Sequence, residues 1–297
     1  MNRILVLMAT YNGEKYLKEQ LNSIFAQENV DVTVLARDDG SSDRTTSVLD
    51  DYSKSHSLSW YSGKHLNVSK GYYSLMQKGA YQDFDYYAFS DQDDVWDRDK
   101  LSIGISAIAD MKKPALYYCG QRLVDANLTF IADHELNKDR SLTTRFILSD
   151  FAGCTGVFNK GLINEVVSYM PSYMLMHDTW ILKVCLALGG VVIVDPKSHM
   201  SYRQHGGNAV GLGRSLPAYL KQVKQYLNEY KVEPQMRELI KGYGDRMVNP
   251  YKEIAEACSN YRTDRKSRRL LLDHSTVDFC ARGLNLTYRL KVFSNRL

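Results

Sequence analysis

Ile4-Leu5-Val6-Leu7-Met8, running straight into Ala9-Thr10-Tyr11-Asn12-Gly13, is the stretch whose reading decides the fold. Five consecutive apolar residues that stop at turn-forming polar ones fit a strand covered on both faces, the habit of a parallel sheet. A helix should follow. Leu17, Leu21, Ile24 and Phe25 recur at i, i+4, i+7 and i+8, with Asn12 placed near the start as a cap candidate. Val30 to Ala36 repeats the strand signal and ends at Arg37-Asp38-Asp39-Gly40-Ser41-Ser42-Asp43. Ser42 or Asp43 is then the expected cap of a second helix with Val48, Leu49 and Tyr52 on its apolar side. This alternation predicts an α/β fold: a doubly wound, mostly parallel, Rossmann-like sheet with right-handed crossovers. Ligands of such sheets sit in the crevice beyond the carboxyl ends of the strands.

Three polar clusters fall where that crevice should be: Thr10 to Glu14, Asp38 to Ser42, and Asp91 to Asp94. The third is the most telling. The buried-strand candidate Tyr86-Tyr87-Ala88-Phe89 ends in Ser90-Asp91-Gln92-Asp93-Asp94-Val95-Trp96, with three carboxylates in four positions. Carboxylates this close raise each other's pKa unless a cation sits among them, and their oxygens suit a hard ion such as Mg2+ or Mn2+. An acidic turn capping a helix that begins near Asp97 is the alternative.

Farther along, Trp60 to Gly79 reads as a polar connection in which Lys64 or Lys70 is either a phosphate contact or a solvated lysine. Leu101, Ile105, Ile108 and Met111 mark a helix, Ala115 to Val124 a strand, and Ser141 to Leu148 a short helix in a weakly patterned region. Phe151 to Lys160 combines close-approach glycines with a short apolar strand. Asp178 opens an apolar helix that Gly189-Gly190 should end, as its cap or as a functional acid. After a strand from Val191 to Val194, the loop Tyr202 to Asn208 is dense in donors and holds His205, a metal-binding imidazole or an ordinary histidine.

With 297 residues, 44% hydrophobic and 24% charged, the chain is an ordinary globular one, and disordered or fibrous classes are excluded. Five cysteines without a CxxC pair suggest neither a disulfide framework nor a zinc site. Neither a secretory leader nor a membrane span is apparent, so a cytoplasmic protein is expected. The net charge of +4 is uneven: Arg262 to Leu297 carry nine Lys/Arg against three Asp, a net of +6, which leaves the rest at −2. Basic residues beside Leu270-Leu271-Leu272 suit either an anionic membrane surface or a solvated helix face. Nucleic acid is not expected, since no stacking aromatics alternate with them. Leu216, Leu220, Val223, Leu227 and Tyr230 form an amphipathic repeat that could pack in cis or pair two copies as a homodimer. The expected organisation is a catalytic domain over 1–212, its nucleotide half about 1–100 and its acceptor half about 101–212, followed by a helical, basic region over 213–297.

ATYNGEKYLKEQL, RDDGSSDRT, SDQDDVW, GCTGVFNK, HDTW and YRQHGGNAVG occur in this order, and together they resemble the bacterial family-2 glycosyltransferases, in particular the rhamnosyltransferase branch. The resemblance covers roughly Arg3 to Gly211. It implies a GT-A fold, a nucleotide-diphosphate-sugar donor such as dTDP-rhamnose, and a divalent metal. It places Thr10, Tyr11, Glu14, Asp38 and Asp39 at the donor's base and ribose, with Asp91 and Gln92 also on the donor. Asp91 and Asp93 stand for the metal-binding element, His205 for a further metal or diphosphate contact, and Asp178 for the catalytic base. Trp96, Gly153, Cys154, Thr155, His177 and Trp180, from the neighbouring motifs, are the expected acceptor or sugar pocket. The implied acceptor is a saccharide, often lipid-linked, of cell-wall, capsule or O-antigen polysaccharide. UDP-glucose or UDP-galactose is the alternative donor, and a non-catalytic nucleotide-sugar-binding subunit the alternative of another class. Having Asp91, Asp93, Asp178 and His205 together favours the enzyme, because a binding scaffold needs no base.

Overall fold

The computed structural model describes residues 1–205 and 231–297. Its centre is β1 (Asn2–Thr10), paired in parallel with β2 (Val30–Asp38) on one side and β4 (Tyr86–Ser90) on the other, while β2 pairs in parallel with β3 (Leu58–Ser62). Beyond β4 the sheet becomes mixed. The short β8 (Gly156–Asn159) runs antiparallel to both β4 and β6 (Ala115–Val124), and β6 in turn pairs in parallel with β9 (Val191–Arg203). β5 (Val95–Trp96) closes the far edge against β9, and β7 (Phe130–His134) pairs with β6. The order is β3-β2-β1-β4-β8-β6-β9-β5.

Period-two alternation along β1 splits the core into two layers. Ile4, Val6 and Met8 face α1 (Leu17–Phe25), α2 (Thr45–Ser53) and α4 (Lys100–Ile108); Leu5 and Leu7 face α3 (Val68–Ala80), α6 (Lys160–Val167) and α7 (His177–Ala187). The second layer is the larger because the C-terminal helices join it. α8 (Val232–Tyr243), α9 (Tyr251–Asn260), α10 (Arg265–Leu272) and α11 (Arg282–Phe293) contribute Val232, Met236, Leu239, Tyr243, Ile254, Cys258, Leu271, Tyr288 and Val292 to the same cluster as Trp180 and Leu182. The described C-terminal helices therefore share a core with the sheet.

Several expectations are corrected. Trp60 to Gly79 is no polar connection: β3 and the 13-residue α3 occupy it, with Asn67 capping α3 and Tyr72, Tyr73, Leu75 and Met76 buried; Lys64 and Lys70 are exposed. Asn12 does not cap α1. Its backbone is left-handed, at φ 48°, and its Oδ1 accepts the N–H of Ser42 at 2.8 Å, tying two loops together. Asp43 does serve the first turn of α2, accepting the N–H of Thr45 at 3.0 Å. The strand expected to stop at Val194 continues through Pro196 to Arg203, with breaks in register around Gly120. Gly189 ends α7 as expected, in the left-handed region at φ 69°. The amphipathic repeat from Leu216 to Tyr230 and the boundary at residue 212 lie outside the described residues.

Candidate active site

Register sets the site. In the parallel β1–β2–β4 pairing Thr10 lies opposite Asp38, and Met8 opposite Ser90, so three strands end along one edge. β8 runs the other way, so the 3-10 turn Gly153–Thr155 at its start meets that edge from across the sheet. The long β9 brings Arg203 and His205 back to it. A cleft of about 250 Å³ opens there, lined by residues that include Thr10, Tyr11, Asp39, His65, Tyr72, Asp91, Gln92, Asp93 and Tyr202. Larger hollows of about 630 and 480 Å³ among the C-terminal helices face charged surface residues, and no strand end reaches them.

One wall is a network of loops. Asp38 accepts from Thr10 Oγ1 at 3.1 Å and from the N–H groups of Gly40 and Ser41, which fixes the turn at Gly40 (φ 87°). Arg37, buried, pairs with Asp39 and donates to the Lys64 carbonyl at 2.8 Å. Gln92 clamps the backbone of Tyr11, accepting its N–H at 2.8 Å and donating to its carbonyl at 3.0 Å. That clamp explains Gly13, where a Cβ would stand 2.3 Å from Gln92 Oε1. Glu14 does not line the cleft; it accepts from the N–H of Arg44 at 2.7 Å and pairs with that side chain.

The acidic loop is not a helix cap: α4 begins at Lys100, and Asp97 pairs with Arg122 at 2.9 Å. Asp93 meets His205 Nε2 at 2.7 Å. Asp94, behind the loop, accepts the N–H of Arg203 at 3.2 Å, while Arg203 Nε donates to the Asp93 carbonyl at 2.7 Å. Asp91 accepts from the Tyr72 hydroxyl at 2.8 Å. Burial, then the charge of Asp93, pushes the Asp91 carboxyl up to about 6 despite that hydrogen bond, and Asp178 adds to the rise. Asp94 is raised further, by burial and then by Asp91 and Asp93. A cation would relieve this crowding, so the donor set fits a divalent ion. Asp91, Asp94 and Cys154 bring ligand atoms within 4.8 Å of one another, but burial lifts the Cys154 thiol well above its ordinary pKa. A protonated thiol is a poor ligand for a hard ion, and of the acidic loop's three carboxylates Asp91 and Asp93 line the cleft.

Asp178 stands in the first turn of α7, where its Oδ2 accepts the N–H of Gly153 at 3.1 Å. Burial raises its carboxyl to about 6, partly offset by hydrogen bonds from Thr179 and Gly153. Asp178 itself does not line the cleft; the preceding residue, His177, stacks on the cleft-lining Tyr72 at 3.9 Å. The expected acceptor pocket is largely corrected. Trp180 is fully buried among Tyr169 and Tyr243, Trp96 lies in the opposite core layer beneath Lys100, and Cys154 and Thr155 are buried behind the loop. Both tryptophans have only 0–3% of their surface exposed and can touch no acceptor. Gly153 and His177 remain beside Asp178. Tyr72 and His65 join the site unforeseen, whereas Tyr202 and Arg203 come from the expected donor-rich stretch, here the end of β9; the spacing Tyr72, Leu75, Met76, Gly79 was the signal for α3 and so for Tyr72.

The model of glycosyl transferase family 2 matches residues 5–166, more than half of the chain. The chain belongs to that family. This glycosyltransferase is similar to the dTDP-rhamnosyl transferase RfbG of Shigella flexneri, at 28% identity over 240 residues, 75% of this chain and 80% of the relative. Among solved structures it resembles S. aureus TarS 1–349 in complex with UDP-GlcNAc (TM-score 0.58, 16% identity, covering 99% of this chain and 91% of that one). It also resembles the mannosyltransferase PcManGT of Pyrobaculum calidifontis in complex with GDP-Man and Mn2+ (TM-score 0.56, 16% identity, 98% and 83% covered). At these identities the likeness shows a shared GT-A fold. No helix among the described residues is long and apolar enough to cross a membrane.

Proposed function

We propose that this glycosyltransferase is an inverting enzyme that moves L-rhamnose from dTDP-β-L-rhamnose onto a saccharide hydroxyl, using Mg2+ or Mn2+. The observation that carries this reading is the nearness of two carboxyls of different standing: Asp91, which lines the cleft beside Asp93, and Asp178, which stands behind the lining at the start of α7 yet close enough for its charge to raise Asp91. The donor assignment draws support from the relative named as a dTDP-rhamnosyl transferase. Thr10, Tyr11, Asp38, Asp39 and Gln92 then shape the nucleotide side. Asp91 and Asp93, with His205 against Asp93, would hold a divalent ion, which would supply positive charge to the leaving diphosphate. Asp178 takes the proton of the acceptor hydroxyl as that oxygen attacks the anomeric carbon from the face opposite the diphosphate. A single displacement with one base and no covalent intermediate inverts the anomeric centre. A base with a pKa of about 6 is charged at neutral pH and still basic enough to accept that proton. The test is a donor panel: dTDP-rhamnose, UDP-glucose and UDP-galactose, each with and without Mn2+, read by thermal stabilisation and nucleotide release. Stabilisation by a UDP-hexose alone overturns the rhamnose assignment.

The proposed acceptor is lipid-linked, with the helices from Val232 onward resting on the anionic inner face of the cell membrane. On α11, Leu286, Leu290 and Phe293 are 61%, 54% and 61% exposed at i, i+4 and i+7, and the exposed Arg282 and Arg289 flank them. An apolar stripe beside arginines suits anionic headgroups. Binding to anionic but not neutral liposomes at low salt is expected, and equal recovery with both kinds refutes it.

A further inference from the structure

We propose that Tyr72 is a positioning residue that ties Asp91 to the first turn of α7, its hydroxyl serving the donor side of the site and its ring the base side. This rests on the reading that Asp91 helps to seat the cation and that Asp178 is the base. Tyr72 is 1% exposed and stands one turn into α3, an element that brings no other side chain to Asp91 among the described hydrogen bonds. Its hydroxyl lies 2.8 Å from Asp91 Oδ1 and 2.7 Å from the Ser90 carbonyl, so it fixes the carboxyl just where β4 ends. A ligand carboxylate must hold one rotamer to keep its geometry, and partners of this kind orient such ligands.

The ring does something different. It stacks on His177 with centroids 3.9 Å apart and planes 15° from parallel, while Phe89 presents its edge to the same imidazole at 4.8 Å and 87°. Neither ring nitrogen of His177 has a hydrogen-bond partner among the described residues. Aromatic contact therefore holds this histidine, and polar contact does not. On its far side His177 Nε2 would lie 2.7 Å from a Cβ at Gly153, so only a glycine lets the imidazole approach the turn whose N–H holds Asp178. Tyr72, His177, Gly153 and Asp178 thus form one continuous run of contacts from the metal side to the base side. A tyrosine placed only to fill the core would need no hydroxyl aimed at a carboxylate.

The two halves separate by mutation. In Tyr72→Phe the stack survives and the hydroxyl goes: Mn2+-dependent affinity for dTDP or UDP, read by calorimetric titration, should fall about tenfold, with kcat at saturating donor and metal within about threefold of the parent. In Tyr72→Leu the stack goes as well, and kcat should also drop by about tenfold or more. His177→Ala should lower kcat and leave nucleotide affinity unchanged, and His177→Phe should restore much of the loss. Melting temperatures of all four identify a variant that fails to fold; should Tyr72→Leu be one, Tyr72→Phe and the histidine pair still decide. Parent-like nucleotide affinity in Tyr72→Phe overturns the tie, as does an equal effect of the phenylalanine and leucine variants on both readouts. A parent protein whose nucleotide binding ignores Mn2+ overturns the metal reading itself and the tie with it.

Discussion

Replacing Asp178 by Asn separates catalysis from stability in a way that the surroundings of this carboxyl make quantitative. The substitution keeps shape but removes the base, and a positioned base is worth about 10²- to 10⁴-fold in rate. Donor binding should be unchanged, since the side chain lies outside the cleft-lining set. For stability the folded carboxyl, raised from 3.8 to about 6, binds its proton more readily than the unfolded one. Its ionisation therefore opposes folding: the penalty is absent below pH 3.8, builds up between there and 6, and is complete above 6. A shift of this size corresponds to about 3 kcal/mol. Against this, an amide that keeps its oxygen toward Thr179 turns a donor toward the Gly153 N–H, which costs about 1–3 kcal/mol. The variant should thus be no less stable than the parent at pH 8 and slightly less stable at pH 4. Nucleotide release from the donor, calorimetric donor titration and melting curves across that pH range are the assays. Parent-like turnover, or a stability deficit that grows with rising pH, refutes this account.

Asp93→Ala should abolish the Mn2+-dependent part of nucleotide binding along with the 2.7 Å contact to His205, and titrations with and without Mn2+ would expose a failure. In the parent, kcat/KM should lose about tenfold per pH unit below about 6, as the Asp178 carboxyl takes up its proton, and this limb should be missing from the residual activity of Asp178→Asn. Gly13→Ala forces the flexible Gln92 side chain off the Tyr11 backbone, so nucleotide affinity should fall with little change in melting temperature. Trp180→Ala should cost about 3–5 kcal/mol of stability, and remaining folded enzyme should keep its KM for donor, because the indole fills the core and faces no substrate.

What could be read in advance divides along a physical line. β1, β4 and the first half of β6 are continuous apolar runs covered on both faces, β2 has such a run from Val34 to Ala36, and runs of this kind stand out in any sequence. Their polar ends could then be placed in the crevice because parallel register aligns the ends. α3 was hidden because only Leu75 and Met76 of its buried face are plainly apolar; the rest is two tyrosines, a serine and two glycines, whose apolar character depends on packing. Trp96 and Trp180 misled for the opposite reason. They adjoin motif acids in the chain, but alternation along a strand and the 100° step of a helix turn neighbouring side chains to different surroundings. Arg203 falls in the expected donor-rich stretch, but the strand that carries it there was not legible, since it runs through a proline and a break in register.

The shared core of α7 with α8 and α9 has a bearing on how this protein is made. Trp180 meets Tyr243, and the Ala187 carbonyl accepts the N–H of Val248 at 2.8 Å, so the helix bearing Asp178 gains the last part of its packing only from residues synthesised well after it. Synthesis from the amino terminus should therefore deliver the nucleotide-facing strands early and a firmly seated base only after α8 has followed. Chains ended before Tyr243 are expected to bind nucleotide and to transfer more slowly than longer ones.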